Sequence, residues 1–262
     1  LVAEADHVLS TGMVEPHQYA GFSGGAKTVA IGAGDGSLIG YTHGPDVLSH
    51  PDVRLGRVDG NPFRETVDRA ADAVGLAFCL NVTKGPDGFL GASAGRPRAV
   101  VADLAATARE ALSVPLDDTF DAVVGGVGAP KDATLYQATR GATYLVLGEH
   151  NPVRPGGQVI TPARLTEGAG EGTGERRFYE RLRTATSAES LYEAMRAGYE
   201  PGAQRAFVVA RALREADLWI TNSEHPDVVE ECLLHAAERV EDAVDPGSDV
   251  LVVPDALNTL LG

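Results

Sequence analysis

Short apolar runs alternate along this chain with longer amphipathic stretches. His7-Val8-Leu9-Ser10 predicts a strand that ends at the turn Thr11-Gly12. From Thr28 to Gly36, small apolar residues are broken by Gly32, Gly34 and Gly36, which predicts an extended segment, because a long helix does not tolerate that many glycines. Asn61-Pro62 has the form of an N-cap followed by proline at the first helical position, and predicts a helix to about Val74. Leu76 to Thr83 and Phe89 to Ala92 flank Gly85-Pro86-Asp87-Gly88, the pattern of a hairpin. Pro97 to Leu112 reads as an alanine-rich amphipathic helix.

A second series follows a boundary at Val114-Pro115-Leu116-Asp117-Asp118. Phe120 to Gly126 has the pattern of a buried strand, and a helix is expected from about Asp132 to Leu147. Pro155-Gly156-Gly157 turns into a strand from Gln158 to Pro162. Helices are expected near 176–183, 188–197 and 203–215, then a strand from Asp217 to Asn222 and a helix after His225-Pro226. A last strand, Asp249 to Pro254, is expected to return to the first domain. Strands alternating with helices predict an α/β fold with parallel pairing. The expected division is a first domain at 1–115, a second α/β domain at 116–245, and a tail at 246–262 that rejoins the first. The site is expected in the cleft between the two α/β domains.

Composition narrows the function. With 22 basic and 37 acidic residues, the net charge of -15 argues against a nucleic-acid partner, which would draw on basic surface. No apolar run is long enough to span a bilayer, so no membrane partner is expected and a cytoplasmic location is. The two cysteines, Cys79 and Cys232, form no C-x-x-C pair and read as reduced thiols. The first residue is Leu, not Met, which suggests a piece of a longer protein.

The most informative stretch is Gly21-Phe22-Ser23-Gly24-Gly25-Ala26-Lys27, with His17 ten residues before Lys27 and His43 sixteen after it. Glycines let backbone N–H groups come close to a ligand. A lysine offers a charge or, when desolvated, an amine nucleophile, and imidazoles move protons or bind a transition metal. Gly21-x-x-x-x-Ala26-Lys27-Thr28 approaches a phosphate-binding P-loop, with Ala26 in place of the final glycine. The glycine-broken stretch after it argues against that ATPase reading, since a P-loop runs straight into a long helix.

Pro16-His17-x-x-x-Gly21-Phe22-Ser23-Gly24-Gly25-x-Lys27, with His43 at its spacing, resembles the nickel-dependent lactate racemase family and its 2-hydroxyacid racemase and epimerase relatives. Gly128-x-Pro130-x-Asp132-x-x-Leu135-Tyr136-Gln137-Ala138 resembles the start of that family's C-terminal domain, and Gly156-Gly157 and Glu167-Gly168 continue the likeness. The resemblance implies an isomerase that inverts a lactate-like 2-hydroxy acid by hydride transfer to a nickel-pincer nucleotide (nickel pyridinium-3,5-bisthiocarboxylic acid mononucleotide). It implies Lys27 as the cofactor tether, His43 as the nickel ligand and His17 as an acid–base group. Gly24 and Gly25 are implied as close backbone neighbours of the cofactor. Tyr136 and Gln137 would contact the cofactor, and Gln137 and Arg140 the substrate. Partners would be the small-molecule hydroxy acid and the proteins that make the cofactor. Arg140 stands where the family's characterised lactate enzyme has lysine, which bears on substrate preference. The family's Gly-Thr-His-Arg motif, source of a second acid–base histidine, and a further substrate arginine are absent, so the chain alone is expected to be inactive. The other reading of the same fold is a non-catalytic protein that binds a nucleotide or hydroxy acid.

Overall fold

The computed structural model describes residues 2–262 and has a mixed α/β architecture in two compact units, 1–114 with Gly262 and 115–261. Among the described residues, no helix is long and apolar enough to cross a membrane.

The first unit begins with β1 (Val8–Met13), followed by a small antiparallel pair, β2 (Pro16–His17) and β3 (Gly21–Phe22), which sets His17 opposite Gly21. Three short helices come next: α1 (Ala26–Ala30), α2 (Gly36–Thr42) and α3 (Pro45–Leu48). Helix α4 (Pro62–Ala73) starts where the sequence predicts, with the Asn61 side chain accepting the Arg64 N–H at 3.1 Å. Strands β4 (Leu76–Gly85) and β5 (Gly88–Gly95) form the predicted hairpin, and β4 pairs in parallel with β1, giving the order β1-β4-β5. Helix α5 (Pro97–Leu112) packs on this hairpin through Val100, Val101, Leu104, Ala105, Ala108 and Leu112, an apolar stripe at helical spacing. The short strand β6 (Ser113–Val114) closes the unit.

One expectation here needs correction. The stretch from Thr28 to Gly36 opens helical, since α1 runs through Ala30 before the glycines end it. A Cβ at Gly32 would lie 2.4 Å from the Thr28 carbonyl oxygen, and one at Gly34 would lie 1.9 Å from that of Ala30. The chain therefore folds tightly back over the end of α1 where only glycine fits.

The second unit is built on β7 (Phe120–Gly125), an apolar run buried from Ala122 onward. The helix expected over 132–147 is two pieces, α6 (Leu135–Ala138) and α7 (Arg140–Val146). Thr134 caps the first, accepting the Gln137 N–H, and Thr139 lies at the break. Strand β8 (Val153–Pro162) starts five residues before the expected Gln158. Helices α8 (Thr173–Thr184), α9 (Ala188–Ala197) and α10 (Gln204–Leu213) precede β9 (Asp217–Thr221) and α11 (Pro226–Glu230). Strands β10 (His235–Ala237), β11 (Val250–Val253) and β12 (Leu260–Leu261) complete it. The sheet order is β10-β9-β8-β7-β11, and every pairing in it is parallel. Strand β11 lies beside β7, so the tail strand expected to return to the first domain belongs to the second unit's sheet. Gly262, at the end of the tail, groups with the first unit, and its N–H donates to the Val114 carbonyl at 3.3 Å.

Candidate active site

In the first unit, His17, Tyr19, His43 and Phe63 form one aromatic cluster. The Phe63 ring centroid lies 6.3 Å from His17, 6.0 Å from Tyr19 and 5.1 Å from His43, and Tyr19 lies 5.6 Å from His17 and 5.5 Å from His43. The pieces arrive from three places. Strand β2 delivers His17, the end of α2 delivers His43, and the first turn of α4 places the fully buried Phe63 between them.

Hydrogen bonds give the two imidazoles opposite tautomers. His43 Nδ1 lies 3.1 Å from the Ile39 carbonyl, which can only accept, so Nδ1 carries the proton and Nε2 keeps its lone pair. Burial holds His43 down at about 4, with the Lys27 charge adding to the effect, so the ring is neutral near pH 7. Its surroundings thus favour a metal-binding imidazole oriented through its other nitrogen. His17 is the reverse. Its Nδ1 accepts the N–H groups of Tyr19 and Ala20, each at 3.2 Å, so the neutral ring carries its proton on Nε2.

The glycine loop leads into α1, which carries Lys27 within electrostatic reach of His43. Gly24 and Gly25 have φ of 75° and 57°. The space left by their missing Cβ atoms belongs to the protein itself: a Cβ would lie 2.7 Å from Val14 Cγ2 at Gly24 and 2.5 Å from Val101 Cγ2 at Gly25. The Gly25 N–H donates to Asn81 Oδ1 at 3.0 Å. These glycines therefore let the loop pack against the core, a requirement that stands beside the close approach to a ligand expected of them. The Gly24 N–H donates to no described residue.

Sequence reasoning missed the residues that hold this loop. Arg64, 3% exposed, donates to the carbonyl of Phe22 and, at 3.4–3.5 Å, to those of Ala20, Ser23 and Gly24. Asn61 Nδ2 donates to the Tyr19 and Arg57 carbonyls, each at 2.8 Å. One turn, Asn61-Pro62-Phe63-Arg64, thus supports the loop and both histidines. The capping signal at Asn61-Pro62 was the only trace of it in the sequence.

Tyr136, Gln137 and Arg140 lie in the second unit, on α6 and the start of α7. Tyr136 packs on Phe178 at 5.3 Å, with the buried Arg205 guanidinium 5.3 Å over its ring. Arg140 forms no ion pair with a described residue, and its buried Nε has no hydrogen-bond partner.

The nickel-pincer nucleotide can be tested against these residues. Among the described residues, no group of three or more His, Cys, Asp or Glu side chains could hold a metal ion. A metal beside His43 would take its remaining ligands from a bound group, and a neutral imidazole with an available Nε2 is a donor that would suit nickel. The residues fit.

Fold and site together define a two-unit α/β protein with paired histidines and a lysine at a glycine loop. The lactate racemase C-terminal domain model matches residues 118–259, over half of the chain, and the lactate racemase N-terminal domain model matches residues 1–56. The chain belongs to the lactate racemase family. It is 28% identical over 274 residues to the lactate racemase of Lactiplantibacillus plantarum, covering all of this chain and 63% of that protein. It is 26% identical over 271 residues to that of Thermoanaerobacterium thermosaccharolyticum, covering all of this chain and 62% of that protein. The chain thus spans less than two thirds of the length of these relatives. The lactate racemase apoprotein structure from T. thermosaccharolyticum superposes with a TM-score of 0.88 at 24% identity, covering 100% of this chain and 64% of that one. A Thermotoga maritima protein superposes with a TM-score of 0.71 at 16% identity, covering 99% of this chain and 67% of that one. At these identities, the two structures speak for the fold.

Proposed function

We propose that this chain is the part of a lactate racemase that holds a nickel-pincer nucleotide, acting on lactate or a close 2-hydroxy acid. The observation that carries the reading is the pair of opposite histidine tautomers, with Lys27 within electrostatic reach of His43. When bound, the cofactor supplies the acceptor and donor for the hydride at substrate C2. Lys27 would tether it and His43 Nε2 would hold its metal. His17 donates from Nε2–H to the substrate's C2 oxygen. To accept a proton at Nε2, the ring must carry hydrogen on Nδ1 and so release the Tyr19 and Ala20 amides. In this reading Gly24 shapes the loop and offers its free N–H, while Gly25 shapes the loop alone. Tyr136 and Gln137 contact the cofactor, and Gln137 and Arg140 the substrate. Arg140 is a forked cation that forms no ion pair with a described residue, suited to a carboxylate. The reading also places the protein in the cytoplasm, where its two free, buried cysteines stay reduced, and makes the cofactor-synthesis proteins its partners.

The test separates metal binding from proton transfer, in the natural gene product made together with the cofactor-synthesis proteins. His43→Ala should lose nickel measured by elemental analysis. His17→Ala should keep nickel and lose roughly 10²–10⁴-fold in racemisation, the usual contribution of a general acid–base group. A His43→Ala protein that retains full nickel would overturn the assignment. A non-catalytic binder would exchange no hydrogen at C2 in any variant.

A further inference from the structure

The second unit carries a crevice to which no cofactor- or substrate-binding role has been given above. From β7 the chain steps outward through β8, β9 and β10 on one side, then returns to lay β11 on the other side of β7. The order of the sheet therefore reverses between β7 and β11. In open parallel sheets, ligands settle at such a reversal, beyond the carboxyl ends of the strands. A cavity of about 360 Å³ opens there, between the loop after β7 and the loop after β11. Tyr136, Gln137 and Arg140 do not line it.

Its two walls are chemically different. On the β7 side, the N–H groups of Val127, Gly128 and Ala129 donate to no described residue, and Lys131 is exposed and forms no ion pair with a described residue. Gly128 sits at φ 64°, and a Cβ there would meet nothing within 4 Å, so that wall is open. Successive unpaired amides beside an ammonium form a site for an oxyanion. On the β11 side are Asp255 and Asn258, joined by a 2.8 Å bond from Asn258 Nδ2 to one Asp255 oxygen. The second Asp255 oxygen is left as an acceptor, and a carboxylate in this place favours a hydroxyl group over a second anion. The volume is that of a small-molecule site.

We propose that this crevice binds the phosphate ester of a small polyhydroxylated molecule, with the phosphate at 127–131 and a hydroxyl at Asp255. The site stands on the geometry of the second unit and does not depend on the racemase reading.

The test is titration of the ¹⁵N-labelled 262-residue chain with ribose 5-phosphate, inorganic phosphate and free ribose, followed by amide resonances. Both phosphates should shift the Val127, Gly128, Ala129 and Lys131 amides saturably in the millimolar range or tighter, ribose 5-phosphate the more tightly, and ribose alone should leave them in place. Lys131→Ala should weaken both phosphates by about 10-fold, the scale of one charge-assisted hydrogen bond. Asp255→Asn should remove the advantage of ribose 5-phosphate while leaving inorganic phosphate unaffected. Both substitutions are at exposed positions, and an unchanged spectrum elsewhere verifies the fold. Absence of saturable shifts up to about 10 mM, or equal binding by Lys131→Ala, would overturn the site. Equal affinity for inorganic phosphate and ribose 5-phosphate would overturn the ester, since Asp255 would then select nothing.

Discussion

Replacing Arg64 with Met removes the cation beneath the glycine loop while keeping a long, helix-compatible side chain in α4. The guanidinium is almost fully buried, and its main bond goes to the carbonyl of Phe22, itself fully buried. A hydrogen bond from a charged donor contributes about 1.5–3 kcal/mol, and a buried carbonyl left without a donor adds a desolvation cost of about 1–3 kcal/mol. The contacts at 3.4–3.5 Å to Ala20, Ser23 and Gly24 are long and add little. Asp68, 3.9 Å from Arg64, keeps Arg98 at 3.3 Å as its remaining partner. The expected loss is about 3–5 kcal/mol, the range for breaking a buried charged interaction from one side. Arg64→Lys keeps the charge but replaces the planar fork with a single ammonium, and should lose about half as much. The chain's single tryptophan, Trp219, is in the second unit, so fluorescence does not report on this loop. Amide hydrogen exchange over residues 20–27 does, and its opening free energy should fall by the stated amount. If Arg64→Met stays within about 1 kcal/mol of the parent, the guanidinium does not hold the loop and the argument from its burial is wrong.

Two further predictions concern the same unit. His43 titrates at about 4 when folded against 6.5 ordinarily, so between these values the unfolded chain holds the extra proton. The cofactor-free protein should therefore have this contribution in full above pH 6.5 and lose about 3 kcal/mol of it as the pH falls to 4, whereas His43→Gln should lack this part of the pH dependence in denaturant titrations; identical pH profiles would contradict the assignment. Gly25→Ala forces alanine to φ 57° and sets its Cβ 2.5 Å from Val101 Cγ2, which should cost about 2–4 kcal/mol in thermal unfolding. Adding Val101→Ala should relieve the clash without relieving the backbone term, so a double variant no better than Gly25→Ala adjusted for the Val101→Ala loss would show that the clash does not matter.

What was legible in the sequence was local. The Asn61 cap, the apolar stripe of α5 and the glycine-bounded hairpin each depend on residues a few positions apart, and all three form. Partner choice between strands was not legible. Strand β11 reads as a strand from its own residues, but nothing within Val250–Val253 says that it pairs with β7. The break between α6 and α7 was hidden because Thr134 and Thr139 are poor signals until their hydrogen bonds are known. The candidate site divides in the same way. His17, Lys27 and His43 stood out by residue type and spacing, and the structure brings the two histidines together and sets Lys27 near His43. Arg64 and Asn81 did not stand out, since polar residues are usually exposed and only the fold reveals that these two are buried beneath the glycine loop. The packing reason for Gly24 and Gly25 was also hidden, because the Val14 and Val101 side chains that need their space come from distant segments.

In the proposed function, the natural gene product racemises lactate with a cofactor held at Lys27 and His43. The most direct measurement is chiral chromatography of pure L-lactate after incubation with that protein, made together with the cofactor-synthesis proteins. D-lactate should form until the two enantiomers are equal, and the Lys27→Ala and His43→Ala substitutions should abolish this. A nickel-loaded protein that leaves L-lactate unchanged, or a Lys27→Ala form that racemises at the parent rate, would contradict it.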